Sequence, residues 1–159
     1  MNEREVLGQA LQLEEDGLSF YRAAAERTKD PETATMFRSL AEDEVDHAGY
    51  IRRQLASLDG GGGFVAVPEL DTIEALDKGA PIFPKGKQAP KSLPANPNDE
   101  EALLFGLSAE TKSYELYTTS AARIANPDAK NMFVKLAAVE RGHFDLLMMR
   151  YEARYGYPR

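Results

Sequence analysis

Four stretches of the chain carry apolar residues at intervals of three and four, the spacing that places them on one face of a helix. The pattern predicts helices over residues 2–29, 31–58, 98–125 and 127–155, the last ending at Gly156. Asp30-Pro31 and Asn126-Pro127 separate the members of each pair, because Asp or Asn caps a helix and proline suits its first turn. The predicted core positions are Val6, Leu7, Ala10, Leu11, Leu18, Tyr21, Ala24 and Ala25, then Met36, Phe37, Leu40, Ala41, Ala48, Ile51 and Leu55, then Leu103, Leu104, Leu107, Tyr114, Tyr117, Ala121 and Ile124, and finally Met132, Phe133, Leu136, Leu147 and Tyr151.

Residues 59–98 break this pattern, because glycine and proline dominate them and the run from Gly60 to Gly63 stops the second helix. A connection of about forty residues is far longer than the loops that join antiparallel neighbours. We therefore expect a crossover along the length of a bundle, which leaves the third helix parallel to the second. A short helix near residues 69–77 is expected within it, built on Leu70, Ile73, Ala75 and Leu76.

The predicted fold is all-α, an antiparallel four-helix bundle made of two helical hairpins. The hairpins cover residues 2–58 and 99–156, and the crossover 59–98 joins them. A length of 159 residues fits one domain over residues 1–159, since single domains commonly have about 100–200 residues.

Composition narrows the possible partners. The sequence has no cysteine, which excludes disulfides, zinc ribbons and iron–sulfur clusters within it. A net charge of −7 and a pI near 4.9, without a basic block, argue against nucleic acid or an anionic membrane and favour cations. Neither a signal-peptide pattern nor an apolar run of about 18 residues is present, so we expect a cytoplasmic protein.

The chain repeats itself without a gap at an offset of 96 positions, as from residue 44 to residue 140. Both histidines follow a glutamate by three residues, in Glu44-x-x-His47 and in its repeat. The chain is therefore predicted to be a duplicated helical hairpin. Matching pairs include Leu7 and Leu103, Glu14 and Glu110, Tyr21 and Tyr117, Pro31 and Pro127, Phe37 and Phe133, Glu44 and Glu140, and His47 and His143.

The repeat changes how its polar residues are interpreted. Alone, a Glu-x-x-His is usually a solvated pair, and Glu14 would usually be a surface residue. Repeated within apolar stripes, these residues are expected to project into the bundle, because residues three apart share a helix face. Four buried carboxylates need neutralisation, which two divalent ions would supply. Iron or manganese suits mixed carboxylate and imidazole ligands, and zinc also binds them. The predicted metal ligands are Glu14, Glu44, His47, Glu110, Glu140 and His143.

Two tyrosines are candidates for supporting these ligands. Tyr21 and Tyr117 follow Glu14 and Glu110 by seven residues. We expect them either to hydrogen-bond the carboxylates or to serve only as aromatic core residues.

Three motifs stand out: Glu14-x-x-Gly17-x-x-Phe20-Tyr21, Phe37-x-x-Leu40-Ala41-x-x-Glu44-x-x-His47, and the copy of the latter from Phe133 to His143. They resemble the motifs of rubrerythrins, which belong to the ferritin-like di-iron carboxylate superfamily. The resemblance implies a ferritin-like bundle with a di-iron centre, and it does not include the crossover. Unlike familiar rubrerythrins, this chain has no rubredoxin domain, so electrons are expected from an external donor or from Fe(II) itself.

A second departure concerns Ser113, which stands where rubrerythrins carry a further glutamate that exchanges with a histidine during turnover. Its presence argues against peroxidase activity by ligand exchange. A set of four glutamates and two histidines is closer to ferritin and bacterioferritin.

The resemblance implies an enzyme, a non-haem di-iron oxidoreductase that reacts with hydrogen peroxide or dioxygen while Fe(II) is oxidised. The alternatives are a non-catalytic iron-handling or storage subunit, a di-manganese catalase-like site, and a bundle whose Glu and His bind no metal. We expect a homo-oligomer, with a dimer favoured over a cage, because the proline-rich connection is long and no feature of the sequence encodes a cage.

Overall fold

Four long helices dominate the computed structural model, which describes residues 2–75 and 78–157. They are α1 (Glu3–Arg27), α2 (Pro31–Asp59), α3 (Asp99–Arg123) and α4 (Pro127–Tyr155). No strand occurs in these residues, so the all-α prediction is confirmed. Within the same ranges, no helix combines the length and apolar character that crossing a bilayer requires.

The structural repeat follows the sequence repeat. The bounds of α3 and α4, at 99, 123, 127 and 155, lie 96 positions after those of α1 and α2, at 3, 27, 31 and 59. Asn2 and Asn98 form equivalent capping boxes at the starts of α1 and α3. Asp30 and Asn126 cap α2 and α4, each followed by proline. Gly156 ends α4 with φ +83°, in the left-handed region that favours glycine.

Contacts at the helix ends define the direction of each helix. The Thr28 hydroxyl, just after α1, donates to Asp99 at the start of α3 at 2.8 Å. Arg150 near the end of α4 pairs with Glu32 at the start of α2 at 2.9 Å. Because α2 begins where α1 ends, α2 and α3 start at the same end of the bundle and run parallel. The bundle thus consists of two antiparallel hairpins, as predicted.

The apolar core has two parts, one toward each end of the bundle. The first is built from Phe20, Tyr21, Ala24, Ala25, Phe37, Leu40, Ala41, Ala102, Leu103, Leu104, Leu107, Phe144, Leu147 and Tyr151. The second is built from Leu7, Ala10, Ile51, Phe64, Val67, Leu70, Tyr117, Ala121, Ala129, Met132, Phe133, Leu136 and Ala137. Some predicted core residues lie at the edge and are only partly buried: Val6, Leu11, Leu18, Met36, Leu55, Tyr114 and Ile124.

The crossover runs along the bundle and packs against both core parts. Phe64, Val67 and Leu70 join the second part, while Phe83 and Leu93 pack against the first. Its start is fixed by the buried side chain of Gln54. That amide donates to the Val65 carbonyl at 2.6 Å and accepts from the Val65 N–H at 2.8 Å.

The short helix expected near residues 69–77 is reduced to one 3-10 turn, Pro68–Leu70. Leu70 is buried, Ile73 is half-buried and Ala75 is exposed. Leu76 and Asp77 lie outside the described residues. The apolar patch is too short to offset the cost of helix nucleation, so the described part of the segment contributes one buried anchor, Leu70, instead of a helix.

Candidate metal centre

Six titratable side chains lie buried between the two core parts, in the middle of the bundle. Helices α1 and α3 each contribute one glutamate, while α2 and α4 each contribute a glutamate and a histidine. These are the residues that the repeat predicted to project inward. Their exposed fractions are 1% for Glu14, 3% for Glu44, 4% for His47, 2% for Glu110, 1% for Glu140 and 2% for His143.

The six side chains form two overlapping groups of four. In each group, one nitrogen or oxygen atom per residue lies within 4.8 Å of the others. The His47 and His143 rings stack with their centroids 5.7 Å apart. The groups are Glu14, Glu44, His47 and Glu140, and Glu44, Glu110, Glu140 and His143. Glu44 and Glu140 therefore belong to both groups, and each remaining residue belongs to one.

Separations within the groups suit shared coordination better than hydrogen bonding. His47 Nδ1 lies 3.4 Å from Glu14 Oε2 and 3.5 Å from Glu140 Oε1. Among the described residues, the buried side-chain atoms without a hydrogen-bond partner are Glu14 Oε2, His47 Nδ1, Glu110 Oε2, Glu140 Oε1 and His143 Nδ1. Two atoms bound to one ion at about 2.1 Å lie roughly 3.0–3.5 Å apart. The unpartnered atoms thus fit a buried metal site.

In the metal-free protein, protons partly compensate the buried charge. Burial lowers the pKa of His47, but the nearby carboxylate charges of Glu14 and Glu140 outweigh it and raise the value to about 10. Burial, followed by the charge of Glu140, raises the pKa of Glu110 to about 8. Because metal ligands must lose their protons, a cation bound here would compete with these protons.

Two tyrosines hold the α1 and α3 glutamates in a crossed arrangement. The Tyr21 hydroxyl on α1 donates to Glu110 Oε1 on α3 at 2.6 Å. The Tyr117 hydroxyl on α3 donates to Glu14 on α1. Burial, reinforced by the glutamates, raises the pKa of both tyrosines well above their ordinary value. Both hydroxyls therefore keep the proton that they donate, and each links the two hairpins.

Asp43 is a site neighbour that the sequence interpretation missed. Its Oδ2 lies 2.8 Å from His143 Nε2, on the side of the ring opposite Nδ1. Hydrogen bonding with His143 lowers the pKa of Asp43. The repeat offers no signal for this residue, because its counterpart is Val139. A carboxylate next to a predicted ligand, Glu44, is the weak signal that was available.

Gly17 and Ser113 lie one helical turn after Glu14 and Glu110, and neither adds a carboxylate to the cluster. A Cβ atom on Gly17 would lie 3.4 Å from the Glu44 carboxyl carbon, so a side chain at this position would contact that carboxylate. Ser113, its counterpart in the repeat, is buried on α3. The buried cluster therefore contains four glutamates and two histidines.

Comparisons with known proteins agree with this architecture. The sequence model of the rubrerythrin family matches residues 5–151. No curated protein matches the chain. A solved structure, a hypothetical protein from Pyrococcus furiosus, has a TM-score of 0.71 at 24% identity, covering 96% of this chain and 89% of that chain. That likeness shows the fold alone. Because the family match spans most of the sequence, the chain belongs to the rubrerythrin family.

Proposed function

We propose that this chain is a non-haem di-iron oxidoreductase that reduces hydrogen peroxide or dioxygen while Fe(II) is oxidised. The observation that carries the proposal is the pair of overlapping buried groups, which share Glu44 and Glu140. Such sharing suits two ions held side by side, with both ions reaching the same two carboxylates. Family membership and the donor chemistry support the same reading.

In the proposed division of ligands, each ion has two ligands of its own and shares two with the other ion. Glu14 and His47 would serve one ion, while Glu110 and His143 would serve the other. Glu44 and Glu140 would serve both. Two divalent ions cancel the charge of four carboxylates, which removes the large cost of burying those charges in an apolar interior. The chain's own contribution is thus a preformed cluster of ligands whose four negative charges two divalent ions would balance.

When bound, two Fe(II) ions would supply two electrons, the number that reduces one hydrogen peroxide and two protons to two water molecules. The protein residues would position and shield the centre. Tyr21 and Tyr117 donate to Glu110 and Glu14, which limits the rotation of both carboxylates. Apolar core on both sides of the cluster excludes bulk water.

The reducing partner is proposed to be external. The 159 residues contain no cysteine, so they hold no rubredoxin-type iron site. Ser113 supplies no carboxylate for the ligand exchange of familiar rubrerythrins, so we assign turnover to Fe(II) oxidation at a fixed ligand set.

Anaerobic loading of the metal-free chain with Fe(II) tests the proposal. We expect two ions per chain and, on adding peroxide, the absorption of a diferric centre with one peroxide consumed per two Fe(II) oxidised. A parallel reaction with air-saturated buffer identifies the faster oxidant. Binding of fewer than two ions, or peroxide consumption no faster than with free Fe(II), would contradict the proposal.

The same preparation separates the remaining alternatives. If Mn(II) restores peroxide consumption and Fe(II) does not, the site is of the di-manganese type. If the chain instead accumulates many irons per copy in a large assembly, it is a storage subunit. Gel filtration with iron counting distinguishes that outcome from a stoichiometric centre.

A further inference from the structure

The two histidines of the buried cluster have different surroundings, although the repeat makes them equivalent. His143 presents Nδ1 to the carboxylates and has Asp43 Oδ2 at 2.8 Å from Nε2. His47 also presents Nδ1 to the carboxylates, but no described side chain hydrogen-bonds its Nε2. The residue that occupies the place of Asp43 in the second hairpin is Val139, which has no polar side-chain atom. The first hairpin therefore provides a hydrogen-bond partner for the histidine of the second, through Asp43, whereas the second hairpin provides none for His47 at the equivalent position.

The difference has a direct consequence for metal binding. A histidine nitrogen must be unprotonated to bind a metal, so binding through Nδ1 places the ring proton on Nε2. In His143 that proton is donated to a carboxylate, which fixes the tautomer and ring orientation and makes Nδ1 a stronger ligand. In His47 neither the tautomer nor the ring is fixed in this way.

We propose that Asp43 is a positioning residue that makes the metal position of Glu110 and His143 bind its ion more tightly than the position of Glu14 and His47. This inference rests on the proposed two-ion site. It means that ions enter in order, the first beside His143 and the second beside His47. Loss of such a carboxylate partner typically weakens metal binding by about 10–100-fold, which sets the expected separation of the two steps.

Asp43 is well suited to substitution, because its side chain is 48% exposed. Removing its carboxylate leaves no internal void, and Val139 shows that valine occurs at the equivalent place in the other hairpin. The informative variants are therefore Asp43→Val, Val139→Asp and the double exchange. Asp46→Val removes an exposed carboxylate from the same helix and serves as the charge-matched control.

Calorimetric titration of the metal-free full chain with Mn(II), followed by electron paramagnetic resonance, tests this order. With wild-type protein, one equivalent should give the signal of an isolated Mn(II) ion, and the second should replace it with that of a coupled pair. In D43V the first step should weaken about 10–100-fold and merge with the second, so coupled pairs appear already at one equivalent. V139D should strengthen the second step, and the double exchange should restore two separate steps. D46V should behave as wild type.

The outcomes distinguish this inference from the function on which it rests. If wild-type protein binds fewer than two ions, the two-ion site itself is wrong. If it binds two ions and D43V leaves both affinities and the resonance signal unchanged, only the assignment of Asp43 is overturned. Equal weakening in D43V and D46V would likewise overturn it, because general charge would then explain the effect.

Discussion

The two hairpins are nearly identical inside the bundle and different outside it. Their six buried glutamates and histidines match pair by pair, with exposed fractions of 1–4%. On the outer face of the first hairpin, a groove is lined by charged residues that include Arg22, Arg38 and Glu42. The equivalent positions in the second hairpin are Thr118, Val134 and Ala138, in a groove that the crossover also lines through Ala75 and Lys78.

The reason for this difference is the single crossover. The crossover lines the outer groove of the second hairpin through Ala75 and Lys78, and none of its described residues lines the corresponding groove of the first. Arg141 donates to the carbonyls of Lys78 and Gly79 and so holds the crossover against the second hairpin. At these three positions the residues beneath the crossover are small or apolar and their counterparts on the open groove include three charged side chains, whereas Arg141, which holds the crossover, replaces Val45. The buried cluster is unaffected, because both hairpins contribute to it from the inside.

The largest effect is expected when a glutamate that belongs to both buried groups, Glu140, is compared with one that belongs to a single group, Glu14. Glu140→Gln should reduce binding from two ions to fewer than one, because both groups lose a carboxylate. Glu14→Gln should leave one ion bound, at the position of Glu110 and His143. Metal analysis after equilibrium dialysis measures the difference, with Glu115→Gln on the exposed face of α3 as the control. Equal losses in E140Q and E14Q would mean that Glu140 is not shared.

The crossed tyrosines offer a second comparison. Tyr21→Phe and Tyr117→Phe should each lower the free energy of unfolding by about 1.5–3 kcal/mol, since each removes one buried hydrogen bond to a carboxylate. The two losses should be similar, because the contacts are equivalent in the repeat. Urea unfolding of the metal-loaded proteins provides the measurement. A loss confined to one variant would show that only one of the two links matters.

The pH dependence of stability should differ between metal-free and metal-loaded protein. The raised pKa of His47, about 10, means that its contribution to metal-free stability is complete below about 6.5 and is lost toward pH 10. The raised pKa of Glu110, about 8, means that ionisation costs stability as pH rises from 4.5 through 8. Both effects weaken the metal-free fold at high pH.

Bound ions would replace these protons, so the melting temperatures of the two forms should diverge as pH rises. We expect the gap to widen by about 5 °C between pH 6 and pH 9. Thermal unfolding followed by circular dichroism checks this, with Zn(II) as a redox-silent ion. A gap that narrows over this range would contradict the assigned protonation.

The smallest expected effect concerns the equivalent capping boxes of Asn2 and Asn98. Asn98→Ala should lower the free energy of unfolding by about 1 kcal/mol. The reason is that Asp99 and Glu100, in the first turn of α3, accept hydrogen bonds from the end of α1 and from α4, so this turn cannot fray freely. Asn2→Ala should lower the free energy of unfolding by only a few tenths of a kcal/mol, because the first turn of α1 is exposed and frays readily. Chemical denaturation of both variants measures the contrast. Equal costs would show that the surroundings of the caps do not matter.

Much of the fold and the candidate site could be predicted from local sequence. Apolar spacing of three and four located the helices, and capping residues with Pro31 and Pro127 set their starts. The offset of 96 then selected Glu14 and Glu110 from many exposed glutamates. These predictions succeed because helix periodicity fixes which side chains share a face, whatever the neighbouring helix is.

Tertiary structure alone decided which residues meet across the bundle. Tyr21 binds the glutamate of the opposite hairpin, and Asp43 reaches His143 across 100 positions of sequence. Likewise, only Leu70 among the described residues of the segment predicted as a short helix became a buried anchor. The physical reason is that a sequence pattern orients side chains about their own helix axis. The register between helices, which brings one side chain opposite another, depends on how the whole core packs.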